Sequence, residues 1–502
     1  MLDPQSVTAG LVGLISIFIV LSYGKFLWRR SKMPPGPFPL PVLGNFLRFY
    51  SDGLLPGLIK MSKEFGPVYT VYFGSRLVVV VTGYQALKEV FLDDGDSFLG
   101  RGSQPLIDRL FDFKGLSFSS GDEWKQLRQF SLQTLKDFGM GKKSLEEPIL
   151  EEAHHVVEHF RSLNGQPVLP STTFTCASSN IIAKIVMGTR FDYSDKKWMN
   201  VLKDSNEAFH IFSSPWGQLY DFFPTVMRCI PGPHRKGFTL LDKFEDVLKE
   251  SVRTHQATLD PACPRDYIDC FLLRMKQEEE KHHNKTAFNI VNLTTTMLDM
   301  FLGGTESTGS TVNYGILVLV KYPELQDMIF EEIDRVVGQA REPRAEDRNQ
   351  MPYMNALVHE IQRYCDVFPM GFVRATTKDI TFHSYFIPKG TNILPMLTTT
   401  LRDASQFETP EEFNIKHFLD ENGKFKKNNA FMPFSAGKRS CIAESLVRIQ
   451  LFLFFIILLQ NFILKSTVDP KDLDISPAES ATLNVPPSHQ IIFIPRQLQG
   501  GA

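Results

Sequence analysis

Between Thr286 and Lys321 the chain carries only two charged side chains, Asp299 and Glu306. Phe288 to Lys321 reads as one helix, about 50 Å long at 1.5 Å per residue. A helix so apolar offers no face to water and must run through an interior. The fold therefore has to be thick enough to wrap other layers around it. A chain of 502 residues permits that, as one large domain of about 450 residues or as two or three ordinary ones. Hydrophobic residues make up 43% and charged residues 22%, which excludes a disordered chain. Lys and Arg number 54 against 56 Asp and Glu, a formal net charge of −2. That balance lacks the basic excess of a nucleic-acid binder. In mid-helix stands Gly303-Gly304-Thr305-Glu306-Ser307-Thr308. Each glycine costs about 1 kcal/mol relative to Ala, so a close approach must repay it. A helix–helix contact with a satisfied Glu306 would do so. A flat ligand would too, with Glu306 and the adjacent hydroxyls passing protons to its oxygen.

The front of the chain is separate in character. Pro4 to Gly24 is 21 residues without a charge, matching one membrane span. Lys25, Arg29, Arg30 and Lys32 follow it, and positive charge stays on the cytosolic side. This favours a retained anchor over a cleaved signal, which wants a basic start and a small-residue cleavage site. The N-terminus would lie outside the cytosol and the rest inside it, leaving the sequons at Asn284 and Asn292 unglycosylated. Pro34 to Pro41 is dense in proline and reads as a stiff elbow. The expected organisation is an anchor over 1–27, a basic and proline-rich elbow over 28–47, and one domain over 48–502. Within that domain, Phe65 to Val81 alternates like a small sheet. Helical patterns dominate from Gln85 to Arg363. Ile380 to Thr400 mixes strand and turn signals, Ala430 to Ser440 reads as loop, and Ile442 to Phe462 as an apolar helix. The fold class is mainly α with a minor β part.

Several chemistries fail on spacing. No G-x-S-x-G occurs, and no G-x-G-x-x-G follows a strand, so the chain carries no dinucleotide site of its own. His359-Glu360 opens like a zincin helix, but Arg363 stands where the second histidine belongs. Gly139-Met-Gly-Lys-Lys-Ser has the wrong glycine spacing for a phosphate loop. The six cysteines, at 176, 229, 263, 270, 365 and 441, form no C-x-x-C and no regular framework. A reducing compartment fits them.

One cysteine has a setting that suits chemistry: Phe434-Ser-Ala-Gly437-Lys-Arg439-Ser-Cys441-Ile-Ala443. A thiolate there would be stabilised by backbone N–H groups of a tight turn and of the helix that follows. Gly437 permits the turn, Arg439 can grip a carboxylate bidentately, and Phe434 can shield the sulfur. A buried structural cysteine is the bland alternative. Position by position, however, the segment has the F-x-x-G-x-R-x-C signature, and the chain resembles the cytochromes P450. The likeness is greatest to the microsomal, vertebrate-type second family and runs from anchor to C-terminus. Ala443 departs from the usual glycine.

The resemblance implies a haem-thiolate monooxygenase fold in one large domain, with haem b (iron protoporphyrin IX) held by Cys441 as the metal ligand. Arg101, Trp124, Arg128, Arg374, Phe434 and Arg439 stand at cofactor-contact positions. Glu360 and Arg363 match the family's E-x-x-R ion pair, a structural lock. The same spacing at Glu158–Arg161, Glu250–Arg253 and Glu332–Arg335 reads as solvated helix faces. Ile415 and His417 replace the usual Pro and Arg of the later loop and put the third member of that lock in doubt. Glu306, Ser307 and Thr308 are the catalytic candidates, with Ser307 where the family has threonine. The pocket candidates are Leu106, Phe111, Phe113, Phe209, Phe301, Gly303, Phe368, Phe372 and Leu483.

The implied reaction hydroxylates or epoxidises a small apolar substrate such as a steroid, fatty acid or xenobiotic. It uses O2 and two electrons from NADPH, delivered by a separate NADPH–cytochrome P450 reductase, with cytochrome b5 as a further candidate donor. The implied location is the endoplasmic-reticulum membrane, through the anchor, with the catalytic domain on the cytosolic face. Two other classes are consistent with a haem thiolate: a peroxide isomerase or lyase that needs no reductase, and a non-catalytic haem sensor or carrier. The retained glycine–acid–hydroxyl pattern argues against both.

Overall fold

The structure is a computed structural model that describes residues 14, 17–18, 21–22, 24–50, 53–139, 146–281, 286–480 and 483–496. Most of the uncharged run, the sequon at Asn284 and the stretch 140–145 lie outside the described residues. Residues 24–32 are helical, and Leu14, Phe18, Leu21 and Trp28 are exposed. The proline-rich elbow is not a free linker. Thr70 N–H donates to Pro35 O at 2.7 Å, and Gly44 bridges Phe73, so the elbow lies against the first strand.

Among the described residues, nine helices build the surroundings of the site: α1 (Pro105–Phe111), α2 (Gly121–Asp137), α3 (Ser171–Met187), α4 (Lys196–Ser213), α5 (Pro215–Phe222), α6 (Pro233–Thr258), α7 (Ile290–Lys321), α8 (Pro352–Cys365) and α9 (Glu444–Asn461). A five-stranded sheet stands beside them, in the order β1 (Val68–Phe73), β2 (Arg76–Val81), β5 (Asn392–Pro395), β4 (Arg374–Ala375), β3 (Gly100–Arg101). β1 and β2 pair antiparallel, Val68 opposite Val81, as the alternation over 65–81 predicts. β5 adds parallel to β2, which draws the distant 392–395 segment to the N-terminal hairpin.

α7 is the axis. It begins two residues later than the apolar run, because Asn289 caps it by accepting the N–H of Asn292 at 2.9 Å. From Val312 to Val320 its residues are buried on every side. α3 and α9 close on it over glycines. Added Cβ atoms would lie 3.0 Å from the Thr175 backbone at Gly309 and collide with the Phe455 ring at Gly315. α9 is, among the described residues, the one helix long and apolar enough to cross a membrane. Its leucines, isoleucines and phenylalanines are buried against the rest of the domain, so it is a core helix.

The ion pair predicted at 360–363 is fully buried at both ends. Arg363 meets Glu360 bidentately, with both N···O distances at 2.7 Å. Its remaining donors go to the carbonyls of Leu401, Pro410 and Glu412 at 2.6–2.9 Å. Asn414 N–H donates to Glu360 Oε1 at 2.7 Å. The lock is complete despite the unusual loop residues. His417 Nδ1 lies 3.2 Å from both Glu360 oxygens, and its Nε2 accepts the N–H of Thr409 at 3.2 Å. Nε2 is thus the acceptor and Nδ1 carries the proton. Ile415 is buried in the short helix Ile415–Phe418 that aims His417. By contrast, Glu332 of the decoy pair Glu332–Arg335 is buried but spends its oxygens on the N–H groups of Tyr353 and Met354.

Removing the imidazole leaves a buried carboxylate short of a donor and a buried N–H short of an acceptor. His417→Ala should cost about 2 kcal/mol in urea unfolding followed by circular dichroism. His417→Arg should lose less. Equal stability of the alanine variant would mean that the imidazole is not part of the lock.

Candidate functional site

Phe434, Ser435 and the run from Arg439 to Ala443 form one side of a cavity of about 360 Å³. Their backbone turns sharply, with φ of 58° at Ser435 and 73° at Gly437. A Cβ on Gly437 would collide with the carbonyl oxygen of Phe91, so only glycine fits. Cys441 N–H closes the turn on Phe434 O at 2.9 Å. The sulfur then meets the N–H groups of Ala443 and Glu444, at the start of α9. Cys441 is open to the cavity and enclosed elsewhere. Burial pushes its thiol above the ordinary range, against the pull of those two N–H groups and of Arg128. A cation facing the sulfur would supply what the thiolate lacks.

The opposite imbalance lies alongside. Arg101, Arg128, Arg374 and Arg439 all line the same cavity. The β3–β4 register sets Arg101 directly across from Arg374, an arrangement that disfavours the sheet. Burial, and then the neighbouring guanidiniums, lower Arg374 far below its usual range and Arg439 to about 8. Burial lowers Arg101 to about 10, against the pull of Asp299. Their hydrogen bonds go to neutral groups. Arg101 Nε donates to Ser117 O at 2.7 Å, Arg128 Nη2 to Ser440 O at 2.8 Å, and Arg439 Nη2 to Ser119 O at 2.8 Å. Arg439 also stacks on Trp124, 4.0 Å from the ring centroid. Four cations, Arg374 and Arg439 buried and Arg101 and Arg128 half-buried, with so little negative charge beside them call for an anion in the cavity.

The facing wall is α7. Asp299, Gly303, Ser307 and Thr311, four residues apart, run down its cavity side. The two central glycines serve different neighbours. A Cβ on Gly303 would meet nothing within 4 Å, so this position leaves the cavity wall flat. A Cβ on Gly304 would lie 2.6 Å from Ile182 of α3, so this glycine serves helix packing. Ser307 Oγ donates to Gly303 O at 2.5 Å. Asp299 accepts the N–H of Ser117 at 2.9 Å, and burial pushes its carboxyl up to about 7. An iron porphyrin fits these residues. It would bring a cation to Cys441, two carboxylates to the arginines and a flat face to Gly303.

Of the pocket candidates, Leu106, Phe111, Phe209, Phe368, Phe372 and Leu483 line the cavity, as does Phe434. Four positions require correction. Phe301 lies two residues, or about 200°, around the helix from Gly303. It packs between Trp198 and Phe244 at centroid distances of 5.5 and 5.7 Å. Phe113 follows the end of α1 in a left-handed turn, with φ of 55°, and its ring is exposed. Thr308 is buried, its Oγ1 without a hydrogen-bond partner, and lines neither of the two cavities beside α7. Glu306 also turns from the main cavity. It lines a second, polar chamber of about 230 Å³ on another side of α7. There it accepts from Asn206 Nδ2 at 3.2 Å, and burial pushes it up to about 7.

Sequence reasoning missed Ile182, Ile185 and Val186 of α3, which line the cavity. Their pattern is that of any core helix, and only the crossing with α7 brings them there. Asp299 left a signal in its isolation within an apolar helix. Asn292 is fully buried and donates to Glu123 at 2.8 Å, so no glycan reaches its sequon in the folded domain, whichever side of a membrane it faces.

Comparison with known proteins adds an independent line. The profile described as Cytochrome P450 matches residues 34–493. Cytochrome P450 2F2 of Mus musculus is 47% identical over 462 residues, covering 92% of this chain and 94% of that protein. Cytochrome P450 2A6 of Homo sapiens is 45% identical over 496 residues, 99% of this chain and all of that protein. Cytochrome P450 2C8 of Homo sapiens is 46% identical over 485 residues, 97% and 99% of the two chains.

Proposed function

The chain belongs to the cytochromes P450, haem-thiolate monooxygenases that act on small substrates with electrons from a separate reductase, and we propose how its own residues divide that work. The observation that carries the reading is the four arginines, two buried and two half-buried, that line one cavity with Cys441. Arg101, Arg128, Arg374 and Arg439, with Trp124, would hold the propionates. Cys441 would be the residue that holds the iron, its thiolate favoured by the Ala443 and Glu444 N–H groups and by the metal's charge. Bound there, haem supplies the iron chemistry that cleaves O2 and transfers one oxygen atom to the substrate.

The remaining residues orient and protect. Leu106, Phe111, Phe209, Phe368, Phe372 and Leu483 exclude water from the substrate and press it toward the open face at Gly303. Ser307 is the hydroxyl at that face and moves a proton at its Oγ. Its bond to Gly303 O keeps the hydroxyl in one rotamer, a task the missing β-methyl would otherwise serve. Glu306 supplies protons to it through water rather than by contact. NADPH–cytochrome P450 reductase is the electron donor, and cytochrome b5 a second one. The uncharged run, the trailing cations and the exposed apolar residues of the first helix support an anchor in the endoplasmic-reticulum membrane with a cytosolic domain.

The reduced protein under carbon monoxide should give the strongly red-shifted Soret band of thiolate-ligated haem, and Cys441→Ser should lose it. Persistence of the band in that variant would sink the ligand assignment.

Ser307→Ala should still accept electrons but form less product per NADPH, by about tenfold or less, because water replaces part of a missing hydroxyl. Thr308→Ala, facing away from the cavity, should leave that ratio unchanged. A loss confined to Thr308→Ala would reverse the assignment.

Protease added to sealed microsomes should digest the domain without detergent. Protection would place the domain on the lumenal side.

A further inference from the structure

α9 begins beside the sulfur, and two negative groups compete for its positive end. The N–H groups of Ala443 and Glu444 meet Cys441, while the side chain of Glu444 brings a carboxylate to the same first turn. An acid there favours the helix. To a neighbouring thiolate it is a like charge. Burial is the main force that holds the Cys441 thiol up, and the Glu444 carboxylate adds to it. Thiolate and carboxylate are therefore in conflict unless a cation stands beside them.

Arg448, one turn along α9, is that cation. Its Nε and Nη2 donate to Glu444 Oε1 at 3.1 and 2.8 Å. A Glu–Arg pair four residues apart on a helix surface is ordinarily loose and screened. This one is held from a third side, where Nη1 reaches His359 Nε2 of α8 at 2.5 Å. His359 Nδ1 lies 2.7 Å from Asn355 O, so Nδ1 carries the proton and Nε2 is left to accept from Arg448. His359 is 7% exposed, with the rings of Phe418, Phe425 and Phe431 around it at centroid distances of 4.6–5.4 Å. Burial, and then Arg448, lower His359 to about 3, so it stays a neutral acceptor through the physiological range. The guanidinium also lies 5.4 Å from the Phe431 ring and 5.5 Å from the ring of Phe434, which lines the cavity together with Cys441. The Arg448 side chain is accordingly 22% exposed, against 40% for Glu444.

We propose that Arg448, held in place by His359, is a positioning residue that cancels the Glu444 carboxylate beside the thiolate and so keeps the iron reducible. The assignment rests on Cys441 as the thiolate ligand and goes beyond it. Without Arg448 the sulfur would share its helix end with an uncompensated negative charge. That charge favours the oxidised iron, which is one charge more positive than the reduced. No bond forms or breaks at these residues. What they set is how readily the electron supplied by the reductase is accepted.

The test uses haem-loaded full-length protein that has first given the thiolate carbon monoxide spectrum. Wild-type protein without that spectrum overturns the haem-thiolate reading, a result distinct from any failure of the arginine assignment. The midpoint potential is read from the Soret band during dithionite titration with mediator dyes and no reductase, so docking plays no part. Arg448→Gln should lower the ratio of reduced to oxidised protein at a given potential by about tenfold, or about 59 mV for one electron. Glu444→Gln should raise that ratio by a similar factor, and the double variant should return to within about twofold of wild type. Arg448→Lys keeps the charge and should stay closer to wild type than Arg448→Gln. His359→Leu keeps Arg448 but frees it, and should fall between wild type and Arg448→Gln. The carbon monoxide spectrum of each variant reports that it is folded and ligated. The proposal is overturned if Glu444→Gln leaves the potential unchanged, a result that stands whether or not the Arg448 variants fold. It is equally overturned if Arg448→Gln matches wild type, if the double variant falls as far as Arg448→Gln, or if His359→Leu matches wild type.

Discussion

Positive charge buried without its counterpart governs this molecule. Arg101 and Arg374 face each other across two short strands, and Arg128 and Arg439 reach the same cavity from α2 and from the turn before Cys441. No arrangement of protein alone makes that favourable. The segments carrying these four side chains are far apart in sequence, and the one thing they share is a need for negative charge. Around that need the rest falls into place. β5 ties the strand carrying Arg374 to the N-terminal hairpin. The glycine at 437 brings its turn against Phe91, and Trp124 offers an aromatic face to Arg439. The protein is built as one half of an ion pair, and its own interior becomes electrostatically sensible only when the other half is bound.

The side away from the substrate is held by a different logic. Glu360 and Arg363 are fully buried, yet each oxygen and nearly every N–H of the pair meets a partner. Burial of such a pair is tolerable only on those terms. The pair also reads the fold. Its partners come from three later stretches, around Leu401, Pro410–Asn414 and His417, so it forms only when the loop has the right path. A histidine suffices where a guanidinium is usual, because the carboxylate needed one further donor and not one further charge.

Much of this was legible in residues. The apolar stretch before Lys321, with only Asp299 and Glu306 charged, gives the central helix within two residues, and the alternation before Val81 gives the hairpin. Turn, cysteine and arginines could be placed because each is a polar or special residue that burial alone does not explain. Phenylalanines were the weak point. Phe209 and Phe301 look alike in sequence, and only the rotation of α4 and of α7, each about its own axis, sends one ring to the cavity and the other into the core. The rotation of α7 likewise separates Ser307 from its neighbours Glu306 and Thr308. Consecutive residues on a helix point about 100° apart, so a motif of adjacent letters cannot all serve one face.

The lock at Arg363 also has a temporal side. Its acceptors lie 38 to 49 residues downstream, and Cys441 lies beyond them. α9, which covers Gly315 with Phe455, comes later still. During synthesis the central helix therefore emerges with α3 and α6 already made but well before α8 and α9 exist to cover its other side. The nascent chain carries a long apolar rod, an unanswered arginine and a half-built cavity until nearly its last residues leave the ribosome. Truncation near the C-terminus thus removes the closing piece of the whole interior, not a peripheral tail. Such a chain would need shelter for its half-covered helix, by chaperone or membrane surface, over the part of translation between Lys321 and Asn461.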